Sequence, residues 1–89
     1  MIERELTVTN RLGLHARATA KLVQVLAAFR SSVTLTAKGR EINAKSIMGV
    51  MLLAAGQGTP VKLRVEGEDE IAAADAVIEL FDRRFDEDS

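Results

Sequence analysis

The chain of 89 residues has no cysteine, no tryptophan and no tyrosine, and only one histidine and one proline. Without cysteine, neither a disulfide framework nor a thiolate metal site is available. A single histidine supplies too few ligands for a structural zinc site. Aromatic residues make up 3%, and 12 Lys and Arg stand against 13 Asp and Glu with no basic run, so nucleic-acid binding has little support. No apolar secretory core follows Met1, and no run of about 18 apolar residues occurs, so nothing points to export or membrane insertion. A P-loop and a paired-carboxylate arrangement are both missing, which leaves kinase or phosphatase chemistry without a motif. There is no internal repeat or linker. What is present, 47% hydrophobic and 28% charged residues, argues against disorder. The length suits one small domain, residues 1–89, with a cytoplasmic location and a monomeric state as the expectation.

The chain is organised around Asn10-Arg11-Leu12-Gly13-Leu14-His15-Ala16-Arg17-Ala18-Thr19-Ala20-Lys21. An extended segment ends near Thr9 and Asn10, Gly13 permits a sharp turn, and Ala16 begins a run of good helix formers. His15 is thereby placed at or beside a helix N-cap, where unpaired N–H groups and the positive end of the dipole favour an anion. Arg17 can bring its guanidinium fork to the same spot and hold a phosphate bidentately. A nitrogen nucleophile beside an anion cradle is what a transient phosphohistidine needs. By itself, the local pattern fits an ordinary surface histidine near a helix start somewhat better.

In chain order, Leu6 and Val8 alternate with polar neighbours, predicting a strand over 3–9. A first helix is expected from Ala16 to about Phe29. It has one apolar stripe at Leu22, Val25, Leu26 and Phe29 and a small-residue stripe at Ala16, Ala20, Val23 and Ala27, the second partly exposed. Val33, Leu35 and Ala37, then Ile42 and Ala44, predict a hairpin turning at Lys38-Gly39. Ser46 reads as the N-cap of a short helix over 47–55, ended by Gly56. That helix is apolar all round, so part of Ile47, Met48, Val50, Met51, Leu52 and Leu53 is expected to face a partner. Pro60 opens a strand with Val61, Leu63 and Val65 inward. Acidic Glu68, Asp69 and Glu70 start a last helix whose core face is Ile71, Ala74, Ile78, Phe81 and Phe85. The acidic tail beyond Phe85 lies at the unfavourable end of that helix dipole and is expected to fray.

The order βαββαβα predicts an α+β two-layer fold, and pattern alone does not exclude a ferredoxin-like sheet order. Gly13-Leu14-His15-Ala16-Arg17 followed by small residues resembles the active-site signature of the HPr family, the phosphocarriers of the phosphoenolpyruvate-dependent phosphotransferase system. Ile42-Asn43-Ala44-Lys45-Ser46-Ile47-Met48-Gly49-Val50-Met51 resembles that family's regulatory-serine region, at the family's spacing from His15. The resemblance runs from about Glu3 to Phe85. It departs at Ala18, where many members have proline. The ending Phe85-Asp86-Glu87-Asp88 resembles the nitrogen-branch members.

The resemblance implies an open-faced β-sandwich, a four-stranded antiparallel sheet with three helices on one face. It implies a stoichiometric phosphoryl carrier, not an enzyme, needing no cofactor and no metal. His15 would accept phosphate at Nδ1 from Enzyme I and give it to an EIIA-type partner of the sugar or nitrogen branch, with Arg17 stabilising the phosphate. Ser46 would be the site of an HPr kinase/phosphorylase. Thr19, Ala20, Gln24, Ile47, Met48 and Met51 are the expected partner-binding patch, unbranched thioethers suiting a surface that fits several partners. The competing reading is a regulatory domain of the same fold that acts only by binding partner proteins.

Overall fold

The computed structural model describes residues 1–88; Ser89, the end of the expected domain, lies outside the described residues. Four strands form where apolar side chains recur at every second residue: β1 (Ile2–Thr7), β2 (Ser32–Ala37), β3 (Arg40–Asn43) and β4 (Pro60–Glu66). Three helices, α1 (Ala16–Leu26), α2 (Ile47–Leu53) and α3 (Glu70–Asp82), complete the expected βαββαβα order. The sheet runs β1-β4-β2-β3, and every neighbouring pair is antiparallel. This is the open-faced arrangement with helices on one side.

Sheet register explains the layering. Val33 faces Val65 and Leu35 faces Leu63 across β2 and β4, and all four are buried under the helices. The next residues along, Thr34 opposite Arg64 and Thr36 opposite Lys62, form a polar face in solvent. Helix α3 lies over β4 and β1, α2 lies over β3 and β2, and α1 packs against both other helices. Edge strand β1 carries Arg4 in register with buried Leu63, an inward-row charge that discourages pairing with another sheet. The hairpin turns through Lys38 and Gly39, both at positive φ (54° and 75°), the geometry that matches strand twist.

Several element ends differ from expectation. Helix α1 stops at Leu26 because Ala28 and Phe29 donate to carbonyls three residues back, tightening the last turn. Helix α2 stops at Leu53, ended by Ala54 in the left-handed region at φ 48°, so Gly56 is not its terminator. On α3 the buried face is Ala73, Ala74, Val77, Leu80 and Phe81, while Ile71 is 68% exposed. Of the expected face, Ala74, Phe81 and Phe85 are buried and Ile78 packs against the core, and Ile71 alone, in the first turn, is turned out to solvent. At the start of α3, Asp69 turns its carboxylate to the loop before β2, and Glu70 accepts from the N–H of Gly67.

Contrary to the expected fraying, Asp86 and Glu87 are tied to the body of the domain. Arg84, Phe85 and Asp86 adopt three consecutive left-handed conformations (φ 54°, 55° and 62°), which no glycine eases. Packing compensates: Phe85 is fully buried, its ring 5.0 Å from that of Phe81. Lys21 Nζ donates to the Phe85 carbonyl at 2.8 Å and lies 3.6 Å from the Asp86 carboxylate. The turn reverses the chain and sends Glu87 back toward α1.

Candidate functional site

The site begins with a turn that only glycine can make. Gly13 has φ +69°, and a Cβ there would sit 2.5 Å from the Ala55 carbonyl oxygen and 2.7 Å from Gly56 Cα. The close approach lets the Leu14 N–H donate to that carbonyl at 2.9 Å, tying the segment before α1 to the end of α2. The buried Asn10 amide donates to the Gly13 carbonyl at 2.8 Å and closes the turn from the other side.

The next residues run straight into α1, with His15 as its N-cap in an extended conformation (φ −76°, ψ −178°). Its Nδ1 takes the place of a capping oxygen and accepts from the Arg17 N–H at 3.2 Å. Nε2 meets the Glu87 carboxylate at 2.5 Å. The two ring nitrogens therefore have distinct partners, a donor at Nδ1 and an acceptor at Nε2. Nδ1 points at the positive end of a helix, where an anion attached to it would find N–H groups. The guanidinium of Arg17 has no ion-pair partner among the described residues and lines an open cleft of about 770 Å³ with Arg11, Leu12 and His15.

Glu87 is the residue sequence reasoning missed. Partial burial pushes its carboxyl up. The hydrogen bonds from Asn10 (3.0 Å) and His15 and the charge of Lys21 outweigh that and hold it below the usual range. Asn10 and Lys21 were missed with it. The one available signal was Phe85, four residues beyond Phe81 on the same periodic face, which could have tied the tail to the core.

Ser46 is the N-cap of α2, its Oγ accepting from the Gly49 N–H at 3.0 Å. Of the expected patch, Ala20 and Gln24 on α1 and Ile47, Met48 and Met51 on α2 are exposed, Met48 by 78%. Leu52 and Leu12 are exposed with them. Thr19 does not belong to the patch. It is fully buried, and its hydroxyl donates to the Leu14 carbonyl at 3.1 Å, a use of its side chain that helix periodicity did not reveal.

A family model described as "PTS HPr component phosphorylation site" matches residues 2–83. The chain belongs to the HPr family. A phosphocarrier protein HPr of Xylella fastidiosa is 66% identical over 89 residues, all of both chains, and that of Cupriavidus necator is 52% identical over 87 residues, 98% of each. The crystal structure of an HPr from Thermoanaerobacter tengcongensis superposes with a TM-score of 0.96 at 40% identity, covering 100% of both chains. That of a Bacillus anthracis HPr gives 0.84 at 35% identity over 88% of this chain and 93% of that one. This HPr-family chain is accordingly a phosphocarrier of the phosphotransferase system and not an enzyme. No helix among its described residues is long and apolar enough to cross a membrane.

Proposed function

We propose that His15 is the phosphoacceptor, taking a phosphoryl group at Nδ1 from phospho-Enzyme I and passing it to a histidine of an EIIA-type protein in the cytoplasm. The Nδ1 lone pair forms the N–P bond as the bond from phosphorus to the donor breaks, and that electron pair leaves with the donor. The Arg17 N–H that now meets Nδ1 becomes available to a phosphoryl oxygen, and the Arg17 guanidinium supplies charge from the cleft. Phosphoryl transfer depends mainly on such positioning and charge stabilisation. The observation that carries the reading is Nδ1 at the N-terminus of α1 beside Arg17, whose guanidinium has no ion-pair partner among the described residues. Ser46, at the head of the helix that bears Ile47, Met48 and Met51, is the regulatory site for an HPr kinase/phosphorylase in a host that has one.

Incubation with phosphoenolpyruvate and Enzyme I should add one acid-labile, alkali-stable phosphate. His15→Ala should abolish it while the domain still melts cooperatively. Label that persists in His15→Ala would overturn the assignment. Transfer onward to sugar-branch and nitrogen-branch EIIA proteins, offered separately, identifies the branch.

A further inference from the structure

Resting on that carrier reading, we propose that Glu87 is a positioning residue for the transfer: its carboxylate holds the proton on Nε2 of His15, leaving the lone pair on Nδ1. A neutral imidazole has two tautomers, and only the one with its proton on Nε2 can attack through Nδ1. A carboxylate cannot donate, so its 2.5 Å contact with Nε2 requires the proton there. The Arg17 N–H at Nδ1 requires the complementary lone pair, so both ring contacts select the same tautomer. When Nδ1 forms its bond to phosphorus, the Nε2 proton stays and the ring becomes cationic. Glu87 then neutralises that charge, and on onward transfer the N–P bond breaks with its electron pair returning to Nδ1.

The contact is built into the fold and is not a chance meeting of a loose tail. Glu87 Oε1 is held at 3.0 Å by the Asn10 amide, which also holds the Gly13 carbonyl two residues before His15. One buried side chain thus fixes both the carboxylate and the turn that carries the imidazole. The left-handed turn over 84–86 brings the chain, leaving α3, back to the ring. It persists because Phe85 is buried and Lys21 holds its carbonyl. Strained backbone imposed by packing next to a reactive group is a recurrent feature of functional sites.

The test uses the intact chain, wild type, Glu87→Ala and Glu87→Gln. Ring ¹⁵N shifts of His15 in the unphosphorylated protein, read where the ring is neutral, report the tautomer directly. Wild type should be almost wholly protonated at Nε2. Glu87→Ala should become a mixture, and Glu87→Gln, whose amide oxygen still accepts, should keep the wild-type tautomer. With Enzyme I, kcat should fall about ten- to a hundredfold in Glu87→Ala with KM little changed, and less in Glu87→Gln. A wild-type tautomer together with a wild-type kcat in Glu87→Ala would overturn the proposal, as would a Glu87→Gln defect equal to that of Glu87→Ala. Failure of the wild-type chain to take phosphate would count against the carrier reading, while the tautomer of the unphosphorylated ring would still decide the role of Glu87.

Discussion

At the scale of single residues, the two groups to separate are those that serve the reaction and those that hold the loops. Arg17 is exposed and its guanidinium has no ion-pair partner among the described residues, so its removal costs the fold nothing that the structure shows. Arg17→Ala should slow transfer by tens to hundreds of fold, matching a charge-assisted contact worth about 1.5–3 kcal/mol, with an unchanged melting temperature. Arg17→Lys should restore only part of the rate, since a point charge lacks the fork. Asp69 is the opposite case. The Ser31 hydroxyl, together with the Arg30 and Ser31 N–H groups, lowers its carboxyl from 3.8 to about 2. A folded-state pKa below the unfolded one means stabilisation that is complete above about pH 4 and is lost as pH falls through about 2. Melting temperatures taken down that window should fall more steeply for wild type than for Asp69→Asn, which cannot titrate. Equal slopes would place the acid sensitivity elsewhere.

At the scale of elements, the junction between the loop before α1 and the end of α2 is the one to probe. Gly13 is there because the turn needs a positive φ and because any Cβ would strike the Ala55 carbonyl. Gly13→Ala must therefore move the residues after Ala54 or give up the Leu14 to Ala55 hydrogen bond. The strain is at least about 1 kcal/mol, lowering the melting temperature by at least about 4 °C in a domain of this size. Because the same turn sets the position of His15, transfer should slow as well. A calorimetric melt beside Enzyme I kinetics checks both, and a stable Gly13→Ala with slow transfer would show that the loop, not the core, absorbs the clash.

At the scale of the whole molecule, the sheet leaves one face polar and solvated while the helix layer presents its apolar residues beside the ends of α1 and α2. Ile47, Met48, Met51 and Leu52 stay exposed because α2 needs only Val50 and Leu53 to join the core. A partner that docks on this side meets Ser46 at its margin. Ser46→Asp keeps an N-cap acceptor, so its melting temperature should be unchanged or higher. The added charge must be desolvated on docking, so the apparent KM for Enzyme I should rise with a modest change in kcat. Salt should relieve part of the defect. Kinetics at low and high salt test this, and unaltered KM would leave Ser46 with its capping role alone.

What the sequence by itself determined was whatever depends on near neighbours. The alternation of Val33, Leu35 and Ala37, the Lys38-Gly39 turn, Ser46 as a cap, and His15 two residues after a turn-making glycine at a helix start all follow from local periodicity and backbone preference. Tertiary structure decided everything that required choosing between local equivalents or joining distant ones. Helical periodicity allowed Thr19 and Ile71 on either side, and competition for the core turned Thr19 inward and Ile71 out. The C-terminal acidic run is expected to fray because it lies at the unfavourable end of the helix dipole, and nothing near it in sequence draws Glu87 to a partner. Its partner is the histidine 72 residues earlier, reached only after Phe85 is buried and the chain is forced through a left-handed turn. No local pattern encodes that meeting, since its energy lies in the burial of Phe85 and in hydrogen bonds from Asn10, Lys21 and His15.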